Sequence, residues 1–197
     1  GDASLRSIQE RYPTLSEKQA REILTMVSEA TKGSDDRAEL VVTAPPSFAL
    51  RTKPTKVTVK AMLSGAEKSI LITGYSLSDY FSELIDCVIQ KSQEGVFVKF
   101  FVNDIESQNA FDHLCRYRGR FLRIYNYPKH EDKMSAFHAK VISVDGEYTL
   151  ITSANLSYHG QEGNIELGTQ IHSKDLAKQV DDVFTKLVFS KVFEEVI

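Results

Sequence analysis

The segment Phe137-His-Ala-Lys-Val-Ile-Ser-Val-Asp-Gly-Glu-Tyr-Thr-Leu-Ile-Thr-Ser-Ala-Asn gathers side chains whose types and spacing could do chemistry. On an extended strand His138 and Lys140 share one face, while Asp145 falls on the other with Phe137, Ala139, Val141 and Ser143. Asp145-Gly146 has the residue types of a type I′ hairpin turn. If those two residues are the whole loop, Val144 faces Glu147; counting outward, His138 faces Ser153 and Lys140 faces Ile151. Asn155 shares the face of Ser153, so His138, Lys140, Ser153 and Asn155 are expected to converge at the open end of the hairpin. A lysine charge, a hydroxyl and an amide suit an anionic tetrahedral centre, and an imidazole can attack phosphorus or carry a proton. Phosphate chemistry therefore fits best. A carboxylate that receives one ring N–H would fix the tautomer and leave the other nitrogen nucleophilic; Glu166, on a strand face with Asn164, is the candidate.

Taken singly, these residues have ordinary readings. A strand histidine is usually structural, Asp145 is a natural turn-former, Ser153 can serve close packing, and His159 in the following loop is more often solvated than in contact with substrate. Lys140 in an apolar strand needs an anionic partner if buried.

The full spacing is far more specific. It resembles the signature of the phospholipase D superfamily, H-x-K, four residues, D, six residues, G-[GS], one residue, N. His138, Lys140, Asp145, Ser153 and Asn155 fit each interval, Glu166 in Asn164-Ile-Glu takes the place of the family's N-x-E glutamate, and Thr152 stands where glycine is usual. The resemblance covers roughly residues 40–197. It implies an α/β/α sandwich with a mixed, mostly parallel central sheet and a catalytic β-hairpin, and catalytic roles for His138, Lys140, Asn155, Glu166, Ser153 and Asp145. It also implies a metal-independent phosphodiesterase, with no cofactor and a covalent phosphohistidine intermediate.

Family members usually need two such motifs, and a second is absent: His113, His130 and His159 each lack a lysine two residues later, and His172-Ser-Lys174 is followed by Gln179 where the spacing calls for aspartate. Single-motif nucleases of the family complete the site by symmetric dimerisation, so a homodimer acting on nucleic acid, DNA in preference to RNA, is expected. The Thr43-Ala-Pro-Pro loop and the basic helix after it suggest a narrower likeness to the phospholipase-D-like component of bacterial anti-phage DISARM systems. Other defence-system subunits are then expected partners. The alternatives are a nucleic-acid-binding partner subunit with little turnover, and a phospholipase, disfavoured because no interfacial apolar helix is evident.

The elements that must position these residues can be read from periodicity. Ser16 and Gln19 form a capping box before an amphipathic helix ending near Gly33, and residues 1–39 read as a helical extension and linker to a catalytic domain over 40–197. A helix after Pro54 leads to a buried strand at Ser69–Gly74, a helix with Leu84, Ile85, Val88 and Ile89 on one stripe, and a strand at Val96–Val102. A helix over Ile105–Tyr117 precedes a strand at Phe121–Tyr125, a succession that argues for parallel pairing. The hairpin strands, a strand from Asn164 to Ile171 and a helix burying Leu176, Val180, Val183, Phe184 and Leu187 complete the chain.

Composition sets the limits. The chain has 197 residues, enough to bury a continuous core; it is 42% hydrophobic and 26% charged, with a net charge of −3. A polyanion must therefore be met by a local basic patch. Two are present: Arg51, Lys53, Lys56 and Lys60, and Arg116, Arg118, Arg120 and Arg123 interleaved with Tyr117 and Phe121. From these, Arg51, Lys53 and Arg118 are expected to bind substrate, with His159. Cys87 and Cys115 lack C-x-x-C spacing and read as buried thiols of a reducing compartment, and His113 with Cys115 has no second pair for zinc. No apolar run is long enough to span a bilayer and no signal pattern is present, so a cytoplasmic location without membrane contact is expected.

Overall fold

The computed structural model describes residues 2–30, 36–45, 51–75, 82–107, 111–129 and 135–197. The chain divides into two compact units, Gly1–Asp36 and Arg37–Ile197.

In the first unit, helices α1 (Asp2–Arg11) and α2 (Glu17–Ala30) pack on one another. The capping box forms as expected: Gln19 N donates to Ser16 Oγ at 3.3 Å, and Ser16 N donates to Gln19 Oε1 at 3.0 Å. The sequence reading missed α1, whose apolar content is too sparse to draw a stripe.

The second unit contains β1 (Arg37–Thr43), β2 (Lys53–Pro54), α3 (Thr55–Ser64), β3 (Ser69–Gly74), α4 (Ser82–Gln93), β4 (Phe97–Asn103), α5 (Phe111–Cys115) and β5 (Leu122–Tyr127). It continues with β6 (Val141–Val144), β7 (Tyr148–Thr152), β8 (Glu166–His172), α6 (Lys174–Phe189) and β9 (Glu194–Glu195). The strands form one sheet in the order β2-β1-β8-β7-β6-β3-β4-β5-β9. One face buries Ile70, Ile72, Phe100, Ile124, Ile142 and Leu150 with Val59, Leu63, Val88 and Leu114 of α3, α4 and α5. On the other, Phe101, Tyr125 and Leu71 pack with Phe184 of α6 and with Phe193. Each such side chain, fully buried, contributes roughly 1.5–3 kcal/mol.

Mixed pairing and helices on both faces are as expected, but the balance differs. Among the described strands, parallel pairs are confined to β1–β2, β3–β4 and β4–β5. Five pairs are antiparallel, four because the hairpin and the returning strand β8 insert between β1 and β3, and the fifth where β9 pairs with β5 at the other edge. Within the stretch expected as one helix over Ile105–Tyr117, the described residues form a short 3-10 turn at Ile105–Ser107 and then α5. On α6, Phe184 is buried with Val180 and Leu187 packed beside it, as the periodicity suggested, whereas Val183 is exposed and Ala177 is buried in addition.

The hairpin turn forms with positive φ at both Asp145 and Gly146, and Glu147 N donates to Val144 O at 3.1 Å. The ladder, however, pairs Val144 with Tyr148 and Val141 with Ile151. Glu147 is thus an extra residue, a bulge next to the turn, and it slips the register by one against the sequence expectation.

Candidate active site

The His138–Lys140 segment is not part of the ladder; β6 starts at Val141. A side chain holds the segment in place instead. Buried Thr73, near the end of β3, donates through Oγ1 to Ala139 O at 2.8 Å and accepts from Val141 N at 2.8 Å. Asn103 Oδ1, at the end of β4, accepts from Phe137 N at 2.9 Å. Two strand ends therefore clamp the segment and aim its side chains past the edge of the sheet.

His138 is exposed, and its ring meets the Tyr75 ring edge-on, centroids 4.2 Å apart. Lys140 Nζ lies 2.9 Å from His138 Nδ1, donates to the His138 carbonyl at 2.8 Å, and sits 5.2 Å from the centre of the Tyr75 ring. Partial burial pushes the Lys140 ammonium below its ordinary pKa, opposed by the Glu166 carboxylate. Tyr75, which packs on both reactive side chains, was not singled out from sequence; its place directly after the apolar strand ending at Gly74 is the signal that was available.

A small cavity of about 10 Å³, room for roughly one water, is lined by Lys140, Tyr75, Thr152, Asn155 and Gln161 among others. Asn155 Oδ1 and Gln161 Oε1 are buried without a hydrogen-bond partner among the described residues. Gln161 sits in a π-helical turn, His159–Gly163, and its Nε2 donates to Asn155 O at 3.1 Å. The turn approaches so closely that a Cβ on Gly160 would lie 2.4 Å from Asn155 O. Gln161 thus backs Asn155, a role that no spacing rule announced.

The register slip changes the place of Ser153. Thr152, not Ser153, is level with Lys140, whose carbonyl accepts from Thr152 N at 3.2 Å. Ser153 Oγ instead donates to Glu166 Oε2 and accepts from Leu167 N at 3.2 Å. Glu166 Oε1 accepts from Asn164 Nδ2 at 3.0 Å. The expected Glu166 contact with the His138 ring is therefore not made in this conformation; Glu166 reaches the cluster through its field on Lys140. Thr152, in place of the usual glycine, is seated against Gly168, where an added Cβ would fall 2.7 Å from Thr152 Cβ.

The other expected site residues lie elsewhere. Asp145 stands at the opposite end of the strand from His138 and accepts from three backbone N–H groups, Glu67 (3.0 Å), Lys68 (2.7 Å) and Ser69 (2.9 Å). It fastens the loop entering β3 and is not in the cluster. Arg118 lies on the turn before β5; Leu122 is level with Val98, Ile70 and Val144, so this turn is also at the Asp145 end. Lys53 is paired with Glu39 and donates to Gln170 at 3.2 Å, four residues along β8 from Glu166, or about 13 Å. Arg51 is exposed just before β2, and no described contact joins it to the cluster. His159 is exposed on the π-helical turn, its described ring contact being with Tyr158. Among the described residues, no three His, Cys, Asp or Glu side chains form a metal-binding group, and no helix is long and apolar enough to cross a membrane. Cys87 and Cys115 are free and half-buried, and burial pushes both thiols up.

With this geometry established, comparison with known proteins is decisive. The family model described as cardiolipin synthase, PLD-like domain, matches residues 59–188. The chain belongs to the phospholipase D-like family. The DISARM protein DrmC of Bacillus paralicheniformis is 32% identical over 198 residues, covering 98% of this chain and 81% of that protein. Cardiolipin synthase 1 of Staphylococcus epidermidis is 28% identical over 152 residues, 68% of this chain but 28% of the longer synthase. Among solved structures, the phospholipase D family member Nuc of Salmonella typhimurium superposes with a TM-score of 0.63 at 17% identity, covering 82% of this chain and 99% of Nuc. NucT of Helicobacter pylori gives 0.65 at 16% identity, over 79% and 98%. These two likenesses establish the phospholipase D-like fold.

Proposed function

We propose that this phospholipase D-like chain hydrolyses nucleic-acid phosphodiester bonds, DNA in preference to RNA, in a homodimer whose two His138 side chains share one substrate. The observation that carries the reading is the juxtaposition of exposed His138 with Lys140, which shares a cavity with Asn155 and the field of Glu166. A single copy supplies one imidazole, whereas two-step displacement needs a nucleophile and a separate proton carrier.

In the first step a ring nitrogen of His138 attacks phosphorus. The P–N bond forms, the P–O bond to the leaving group breaks, and the partner subunit's His138 gives the leaving oxygen its proton. In the second, that same partner imidazole takes a proton from water as the water oxygen attacks phosphorus and the P–N bond breaks. Lys140 and the Asn155 amide from each copy hold the non-bridging oxygens, so the growing charge meets two ammonium groups. The phosphate displaces Lys140 from its contacts with His138, freeing the ring.

A surface for the second copy adjoins the site. Leu40, Ile151 and Leu167 are exposed on one face of β1, β7 and β8, with Ile165 just beyond, next to Ser153 and Glu166. An uncovered apolar face beside half a catalytic site fits an isologous contact. Similarity to DrmC extends the reading to a place in a defence system with other subunits.

The test is cleavage of labelled single- and double-stranded DNA and RNA in EDTA, by wild type and His138→Ala. Cleavage that persists in EDTA and is lost in the variant is expected. A folded dimer that binds these substrates and cuts none would leave the chain a nucleic-acid-binding subunit.

A further inference from the structure

Six consecutive residues, Arg116-Tyr-Arg-Gly-Arg-Phe121, are exposed on the turn between α5 and β5. The turn is internally held. Tyr117 N donates to Leu114 O at 3.1 Å, Gly119 N to Leu122 O at 2.8 Å, and Arg118 Nη1 to Cys115 O at 2.8 Å. The Arg120 guanidinium lies 5.3 Å from the centre of the Phe121 ring. Tyr117 and Phe121 leave 44% and 38% of their surface in solvent.

Charge is distributed unevenly here. Arg123, just inside β5, is paired with Glu195 at 3.6 Å, as Lys53 is with Glu39, Lys56 with Glu162 and Lys99 with Asp181. Among the described residues no carboxylate forms an ion pair with Arg116, Arg118 or Arg120. In a chain of net charge −3, three guanidiniums within five residues, none of them ion-paired among the described residues, are a local concentration of positive charge.

The turn is remote from the reactive cluster. Leu122 is level with Val144, six residues past His138, and three strand spacings to the side. That offset is about 20 Å along the strands and 14 Å across them, or about 24 Å in all. No residue of the turn can touch a phosphate bonded to His138.

We propose that this turn is a second nucleic-acid contact that grips single-stranded substrate at the far end of the sheet from His138. The guanidiniums meet backbone phosphates, and the Tyr117 and Phe121 rings between them offer faces for unpaired bases. An acidic protein would satisfy the arginines but offers nothing matched to two exposed rings set among them. The inference rests on nucleic acid being the substrate class proposed above, and it assigns that substrate a holding point separate from the cutting point.

The experiment is fluorescence anisotropy of a labelled single-stranded DNA of about 20 nucleotides with the full chain carrying His138→Ala, so that binding is read without cleavage. Adding Arg116→Ala, Arg118→Ala and Arg120→Ala together is expected to weaken binding roughly 50-fold at 0.15 M salt. The salt slope of log K should become shallower by about 2. Replacing the same three by lysine keeps the slope, while Tyr117→Ala or Phe121→Ala weakens binding between about five- and a hundredfold with the slope unchanged. Unaltered affinity and slope in the triple alanine variant would overturn the inference, as would a parent that does not bind the oligonucleotide. Wild-type cleavage is scored separately. Binding through the turn without cleavage sinks only the nuclease reading; cleavage with the turn irrelevant sinks only this one.

Discussion

Replacing Thr73 by valine removes one hydroxyl and almost no volume, yet that hydroxyl replaces two missing ladder bonds between β3 and the reactive segment. Its loss leaves Val141 N and Ala139 O without the partners each now has at 2.8 Å, beside a residue only 4% exposed. An unsatisfied buried group costs about 1–3 kcal/mol, so two would cost about 2–6 kcal/mol, less what water recovers at exposed Ala139 and half-buried Val141. Most domains of this size keep a folded population after such a loss. Midpoint temperature should fall by about 6–12 °C for a mid-range loss of 3 kcal/mol. Because the same two bonds aim His138 and Lys140, kcat should fall about a hundredfold, the scale of a 1 Å misplacement. Thr73→Ser restores the hydroxyl and should recover most of both. Urea unfolding with paired steady-state cleavage measures the two effects on one preparation. Stability within about 0.5 kcal/mol of wild type would refute the hydrogen-bond reasoning, and a large stability loss with unchanged kcat would refute its link to positioning.

Three other outcomes are expected. Asp145→Ala removes the acceptor of three backbone N–H groups and should cost about 3 kcal/mol by urea unfolding, while kcat per folded molecule stays within about threefold of wild type; a catalytic collapse with intact stability would return Asp145 to the cluster. Burial lowers the Lys140 pKa, so as pH rises activity should fail below the ordinary lysine range, and Lys140→Arg should remove that limb from the pH profile. Stability moves the other way: the folded chain releases this proton before the unfolded chain does, so unfolding free energy rises with pH between the lowered value and the ordinary one. Leu167→Glu places a charge on the exposed apolar face, and should give monomers in sedimentation and little cleavage; a fully active dimer would move the interface elsewhere.

How far the sequence reached depends on what each feature is made of. Spacing singled out His138, Lys140, Asn155 and Glu166, and the fold sets His138 2.9 Å from Lys140 and Lys140 in one cavity with Asn155, while Glu166 turns to Ser153 and Asn164. It also identified the turn, since Asp145-Gly146 supplies both positive φ angles. The register was not legible, because the bulge at Glu147 is a backbone event that a glutamate does not announce, and one extra residue was enough to send Ser153 to Glu166 instead of His138. The position of Arg118 was not legible for a different reason: a basic run proclaims an affinity for anions but not which end of a sheet it occupies. Thr73 and Gln161 escaped notice because each acts through backbone partners, and an ordinary threonine in an apolar strand looks like packing.

Asp145 has a bearing on how lineages of such proteins are compared. It is bound by the chain's own backbone at the end of the strand away from His138, so a requirement for it would come from the fold and not from the reaction. A descendant that had abandoned phosphate chemistry would be free to lose His138 and Lys140 while still requiring this carboxylate. In that lineage a surviving aspartate at the turn would testify to ancestry, and only the histidine and lysine would report whether the enzyme is still at work.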